Sequence, residues 1–150
     1  MKNHSCIALF VFFILTLPLC CMAKIQSAGI IKSVSGEVMI TSAHQTTSIK
    51  AVPNMKIIQG DSIKTGGKSS VGLIFDDDTV ISLGPNSEIL IQEFLFNPVE
   101  KKLSFVAKMV KGTFSFLSGQ IIKLAPDKVQ LKTPDATLAI RGTKLCVKID

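Results

Sequence analysis

The chain has 150 residues and a formal net charge of +6 at pH 7, with 47% hydrophobic and 19% charged residues. This is the size of one ordinary domain, with enough apolar residues for a hydrophobic core. The lysines are spread singly along the chain, whereas nucleic-acid-binding proteins cluster their basic residues on one face, so nucleic acid is excluded as an expected partner.

Residues 1–23 have the pattern of a secretory signal peptide. A short basic start precedes an apolar run over residues 7–19, and small residues before a cleavage point predict processing after Ala23. As a helix this run spans about 20 Å, short of the roughly 30 Å hydrocarbon core of a membrane. We therefore expect a periplasmic or secreted protein. The alternatives for membrane attachment are an uncleaved N-terminus and a lipid anchor at Cys20 or Cys21.

After the signal peptide, short apolar segments alternate with turn residues roughly every ten positions, which is the pattern of an all-β domain. The predicted strands cover residues 30–41 with a break at Gly36, 57–58, 62–65, 71–75, 80–83, 89–96, 103–110 with a stop at Lys111 and Gly112, and 113–116. A helix is predicted over 117–124, and strands return at 129–133 and over 136–149. The regular turns predict an all-β, β-solenoid-like stack of short strands with at most one short helix.

Two turn sequences have some features of ligand sites. Residues 66–69, Gly-Gly-Lys-Ser, lack the upstream glycine and the following helix of a phosphate-binding loop, so a hairpin turn is predicted there. Residues 76–78 are three aspartates, and their adjacency does not suit the alternating ligands of a calcium loop. A tight turn with Asp78 at positive φ is predicted instead.

No catalytic, cofactor or metal site is predicted. His44 is the only histidine after residue 23 and lies in a polar loop, and no pair of acidic residues is distinguished as a general acid and base. Cys146 stands alone after cleavage, so no internal disulfide is expected, and it is predicted to be a small buried residue on a strand. We therefore expect a protein that is not an enzyme and uses no cofactor.

Arg141 is the only arginine of the chain and lies between Ile140 and Gly142 in an apolar segment. A buried guanidinium needs several acceptors around its planar fork, which lysine cannot use in the same way. This predicts that Arg141 joins neighbouring turns through carbonyl groups or a carboxylate. Direct recognition of a partner is the alternative.

Three segments together resemble the FecR domain family. Residues 60–66 (GDSIKTG) resemble its Gly-Asp turn, and residues 75–79 followed by 83–87 resemble its acidic turn and the segment after it. Residues 133–137 with 140–143 resemble its closing signature. The resemblance covers residues 28–150, and it marks a set of motif residues that we interpret as structural: Gly60, Asp61, Thr65, Gly66, Thr133, Pro134, Arg141, Gly142 and Thr143.

The resemblance implies a β-solenoid-like domain that acts by protein contact without catalysis. In iron-siderophore regulators of this type, the periplasmic part receives a signal from an outer-membrane receptor. We therefore expect a stand-alone periplasmic FecR domain that senses or relays an envelope signal by binding an envelope protein. Binding of envelope glycan or peptidoglycan is the alternative, although the chain has neither Trp nor Tyr to stack on sugar rings.

Overall fold

The computed structural model describes residues 26–43, 45–140 and 142–150. Within these residues, twelve strands join in one sheet, and the helix α1 (Gln120–Leu124) and a 3-10 turn (Pro126–Lys128) lie between β9 and β10. The strands are β1 (Ser27–Ser35), β2 (Val38–Thr41), β3 (Ser48–Lys50), β4 (Lys56–Ile58), β5 (Ser62–Thr65), β6 (Ser70–Phe75), β7 (Val80–Leu83), β8 (Glu88–Asn97), β9 (Lys102–Leu117), β10 (Val129–Lys132), β11 (Thr137–Ala139) and β12 (Lys144–Ile149).

The sheet is built from long strands that bend in the middle. β1 and β2 together form one long bent segment, in which β1 pairs with β6 and β2 pairs with β5. β7 and β8 together form a second bent segment, and both pair with the 16-residue β9. From edge to edge the main strand order is β3-β2-β5-β8-β9-β7-β6-β1-β4. Because β8 pairs with the first half of β9 and β7 with its second half, the sheet curls into an open half-barrel.

The core lies between the two halves of the curled sheet, where alternate residues of the strands point inward. Four phenylalanine rings contact one another there. Phe105 of β9 lies at centroid distances of 4.9, 5.7 and 6.2 Å from Phe75, Phe94 and Phe116. Phe94 and Phe105 belong to the half that contains β8, and Phe75 and Phe116 to the half that contains β6 and β7. The aromatic cluster therefore joins the two halves.

The strands pass from one half to the other at four bends that lie side by side, which we call the bend line. These bends are at residues 36–37, 66–69, 84–87 and 112–113. Backbone hydrogen bonds join each bend to the next. Gly66 N–H donates to Glu37 O (2.9 Å), Asn86 N–H to Gly66 O (3.1 Å), and Gly84 N–H to Thr113 O (2.8 Å).

Buried hydroxyl groups satisfy the remaining backbone groups of the bend line. The Ser87 side chain is fully buried, and its Oγ accepts a hydrogen bond from Thr113 N–H at 3.0 Å. Thr65 Oγ1 accepts one from Ser87 N–H at 2.9 Å, and Ser69 Oγ accepts one from Glu37 N–H at 2.8 Å. A buried backbone N–H without an acceptor destabilises the folded state, so these hydroxyl groups remove that free-energy penalty at the bends.

Gly112→Ala should destabilise the fold by about 2 kcal/mol. Gly112 has a φ of +101°, and a Cβ on it would clash with Oγ and Cα of Ser87. Gly67→Ala is the matched control, since a Cβ on Gly67 would meet Asn86 only at 3.6 Å and farther. Urea denaturation measures both variants, and equal stability of the two would contradict this account of the bend.

The predicted all-β class with one short helix is confirmed, but the sheet is an open curled half-barrel and not a clear solenoid. Among the described strands only β9 and β10 pair in parallel, whereas a β-helix stacks its coils in parallel. The predicted stop at Lys111 and Gly112 is wrong, because Gly112 bends β9 without ending it. The helix begins at Gln120 and not at Leu117, and residues 136–149 form two strands instead of one.

The prediction that Cys146 is buried is also wrong, since Cys146 is exposed. In β12 the apolar Leu145, Val147 and Ile149 pack against the core, so the alternate positions face solvent. The predicted positive φ at Asp78 is confirmed, at 66°. The predictions for the signal peptide at residues 1–23, for His44 and for Arg141 lie outside the described residues.

Candidate binding groove

The outer face of β8, β9 and β10 carries two adjoining hollows of about 520 and 450 Å³. They share Gln92 and Lys132, and we call them together the polar groove. Strand alternation explains the polar lining. Val129 and Leu131 of β10 are buried in the core, so Gln130 and Lys132 project from the opposite face. The groove is thus formed by the solvent side of strands whose other side builds the core.

Gln92 lies where the two hollows meet because β8 contains a β-bulge there. Ile91 pairs with Ala107 and Glu93 with Val106, so Gln92 is the additional residue of β8. A bulge interrupts the ladder and redirects the extra side chain. The Gln92 Oε1 atom is buried and accepts no hydrogen bond from the described residues.

Two lysines lie next to each other in the groove. Lys108 of β9 and Lys132 of β10 are Cα partners in the parallel ladder, so their backbones are about 4.8 Å apart. Lys108 is exposed and Lys132 is partly buried. None of the four ion pairs found among the described residues involves either ammonium group. Like charges directly opposite each other in a ladder are destabilising.

Acidic residues lie around the groove as well. Glu93 and Asp127 line one hollow and Asp135 lines the other. Asp127 forms an exposed ion pair with Lys128 at 3.7 Å. The groove is therefore lined by three lysines, Lys108, Lys128 and Lys132, and by as many acidic residues, which we call its acidic rim.

A tight turn at residues 133–136 closes one end of the groove. Thr133 N–H donates to Ala136 O at 2.8 Å, and Ala136 N–H donates to Thr133 Oγ1 at 3.0 Å. Pro134 and Asp135 lie in this turn and line the groove. Of the motif residues that the structure describes, Thr133 and Pro134 are thus the two that border the groove.

Gly60 and Asp61 lie in the turn between β4 and β5, away from the groove lining. Gly60 has a φ of +91°, and its N–H donates to Ile91 O at 2.7 Å. Asp61 is 3% exposed, and its Oδ2 accepts a hydrogen bond from Ile58 N–H at 2.9 Å. Both residues hold the turn against its neighbours.

Apart from Arg141, which lies outside the described residues, the remaining motif residues are divided between the bend line and the C-terminal segment. Thr65 and Gly66 belong to the bend line, as described above. Gly142 is exposed with a φ of +148°, and Thr143 O accepts a hydrogen bond from Ser118 N–H at 2.9 Å. The structure therefore places the described motif residues at four separate locations, the groove turn, the β4–β5 turn, the bend line and the C-terminal segment, and does not gather them into one site.

Sequence reasoning identified the acidic turn between β6 and β7 but missed the burial of Asp77. The Asp77 side chain is fully buried, and its carboxylate accepts hydrogen bonds from Thr79 N–H (3.1 Å), Thr79 Oγ1 (2.8 Å) and Ile121 N–H (3.2 Å). Its carbonyl oxygen accepts one from Gln120 N–H at 2.7 Å. The available signal was an aspartate two residues before a threonine, as in an Asx turn. Asp77 thereby fixes the start of α1 to the sheet.

Asp76→Asn should stabilise the domain near neutral pH and lose this advantage as the pH falls. Partial burial, and secondarily the charge of Asp77, raise the pKa of Asp76 above its ordinary value of 3.8. The folded state therefore holds this proton more tightly than the unfolded chain does. The stability that the wild-type domain gains from this proton is complete below pH 3.8 and is lost as the pH rises through the raised pKa of Asp76. Melting temperatures measured between about pH 3 and 7 check this, and a difference that does not vary with pH would contradict it.

The described residues offer neither a cluster of metal ligands nor a membrane-spanning helix. No three His, Cys, Asp or Glu side chains in that part of the chain are grouped so that they could hold a metal ion. Over the same residues, no helix has the length and apolar character needed to cross a membrane.

Comparison with known proteins gives one result. Residues 61–150 match the protein-family model described as FecR protein. The match covers more than half of the chain, from β5 to β12, and includes every residue of the polar groove. No curated protein and no solved structure matches the chain significantly.

Proposed function

Since the chain belongs to the FecR family, which suggests a signalling-related domain, we propose that it is a periplasmic module that relays an envelope signal by binding another protein. It acts by contact and not by catalysis. Residues 1–23 direct its export and are removed after Ala23, so that the mature domain works in the periplasm or outside the cell.

The observation that carries this proposal is the polar groove. It lies on the solvent side of paired strands, Gln92 lines both of its hollows, and within the described part of the chain neither Lys108 nor Lys132 forms an ion pair. Polar groups held ready on rigid elements are typical of binding surfaces. The turn of the closing signature borders the groove, so the family motif and the proposed contact surface are adjacent.

Site-specific photo-crosslinking in intact cells tests this function. A photoreactive phenylalanine analogue is placed at Gln130 in the groove and, as a control, at Lys68 in the exposed turn of the bend line. We expect an adduct of defined mass from position 130 in the periplasmic fraction and none from position 68. Retention of the protein in the cytosol, or the absence of an adduct from position 130, would contradict the proposal.

The glycan-binding alternative has less support from the groove. Sugar-binding platforms usually present aromatic faces, and none of the described residues that line the two hollows is aromatic. Co-sedimentation with purified peptidoglycan measures this alternative directly. Retention that is lost when Gln130 and Lys132 are replaced by alanine would favour it over protein binding.

A further inference from the structure

We infer that the polar groove binds an acidic segment of a partner polypeptide, with a carboxylate held between Lys108 and Lys132 and a backbone N–H donating to Gln92 Oε1. This inference rests on the proposed function, because it names the chemistry of the protein partner. It is carried by the lysine pair, by the bulge at Gln92 and by the charges at the rim.

The lysine pair is unfavourable in the free domain and favourable around an anion. Lys108 and Lys132 are opposite each other in the β9–β10 ladder, and no ion pair among the described residues neutralises either of them. Like charges on directly opposed residues of a ladder are unfavourable, and both side chains leave the strands on the face opposite the core. A carboxylate between them would remove the repulsion and form charge-assisted hydrogen bonds to both. The fold thus carries a local instability that an acidic ligand would relieve.

Gln92 supplies a second and independent indication of a ligand. Its amide oxygen is buried without a hydrogen-bond donor among the described residues, although such an atom normally has one. The bulge places this residue in the lining of both hollows, next to Lys132. Rotation of the Gln92 side chain toward the hollows would expose this oxygen, and the backbone N–H of an extended peptide would then be a suitable donor.

The rim favours a peptide over a uniformly charged polymer. Glu93, Asp127 and Asp135 border the groove within the same two hollows as the lysines. A polyphosphate or a polyuronate would bring its negative charges close to these carboxylates as well as to the lysines. A peptide with one or two acidic residues between neutral or basic ones complements a lining of both signs in which Lys108 and Lys132 are neighbours.

The variant Lys132→Gln tests the lysine pair through two effects of opposite sign. Because repulsion with Lys108 is removed, the melting temperature of the free domain should rise by about 1–3 °C. Binding of an acidic peptide should weaken about tenfold, because one charge-assisted contact is lost. Lys64→Gln is the control, since Lys64 is exposed on β5 and lies 3.8 Å from Glu88, so its loss should not raise the melting temperature.

The probe is a capped hexapeptide with two central glutamates, flanked by alanines and terminal lysines, and the matched probe has glutamines in place of the glutamates. The titration is followed by NMR of the ¹⁵N-labelled protein, using the backbone amide signals of β10 and the side-chain amide signal of Gln92. We expect shifts in these signals with the glutamate peptide and much smaller shifts with the glutamine peptide. Lys132→Gln should reduce the shifts, and Lys64→Gln should not.

Several results would overturn this inference. They are equal binding of the two peptides, unchanged peptide binding by Lys132→Gln, a lower melting temperature of that variant, or groove shifts caused by polyphosphate or polygalacturonate but not by the glutamate peptide.

Failure of the acidic-peptide site is distinguishable from failure of the proposed function. If the crosslink from Gln130 forms in cells and is unchanged in Lys132→Gln, the function stands and the acidic-peptide site is wrong. If no crosslink forms in cells, the function fails, and the peptide titration still decides the groove.

Discussion

Asp77→Ala is expected to destabilise the domain by about 3–5 kcal/mol, a large part of the stability of a domain of this size. The substitution removes the acceptor of three hydrogen bonds, two from Thr79 and one from Ile121 N–H, in a fully buried position. Buried donors without an acceptor retain the whole cost of their desolvation. Urea denaturation measures this loss of unfolding free energy, and the slope of that free energy against urea concentration should be unchanged.

Asp78→Asn is the matched control for Asp77→Ala. Asp78 is the exposed neighbour in the same turn, its carboxylate accepts a hydrogen bond from Gln120 Nε2 at 2.7 Å, and asparagine tolerates its φ of 66°. We expect this variant to lie within about 0.5 kcal/mol of the wild type. A similarly small loss for Asp77→Ala would show that α1 is held by its apolar contacts and not by the acidic turn.

The strands could be predicted because alternation is a local property. Val71, Leu73 and Phe75 alternate along β6, and all three are buried as the pattern predicts. The turn at Asp78 could be predicted for a similar reason, since aspartate tolerates positive φ in a tight turn. Both features depend on residues within a few positions of each other.

The curl of the sheet could not be predicted from local patterns. The pair Lys111 and Gly112 predicts the end of a strand, because a glycine after a lysine is as typical of a turn as of a bend within a strand. The role of Gly112 depends on Ser87, which is 25 positions away along the sequence and contacts it in the bend line. The same turn signals therefore predict stacked coils and a bent sheet equally well, and the contacts between the bends distinguish the two.

The polar groove depends on pairings that leave no local signal. Lys108 and Lys132 are 24 positions apart and become neighbours only because β10 pairs in parallel with β9. Gln92 looks like an ordinary strand residue until the register of β8 against β9 shows that it is the bulge. Sequence reasoning placed a break between strands at residues 134–135 and marked Thr133 and Pro134 through the family motif, but it did not indicate the groove beside them.

Phe105→Ala is the second variant with a large expected effect, a loss of about 3–5 kcal/mol in the free energy of unfolding. Phe105 is fully buried and contacts three other rings, two of which belong to the opposite half of the sheet. The half-barrel is open, so few strand pairs connect its halves and packing across the core has to hold them together. Removing this ring leaves a cavity between the halves that the surrounding strands cannot fill.

Phe96→Ala and a double-mutant cycle separate the loss of one ring from the loss of contact between the halves. Phe96 packs at the edge of the core and is only partly buried, so its truncation should cost clearly less than that of Phe105. In the cycle of Phe105→Ala with Phe75→Ala, we expect a coupling of about 0.5–1.5 kcal/mol, since their centroids are 4.9 Å apart. If the two losses simply add, or if Phe96→Ala costs as much as Phe105→Ala, the aromatic cluster does not join the halves, and the bend line alone must hold the curled sheet.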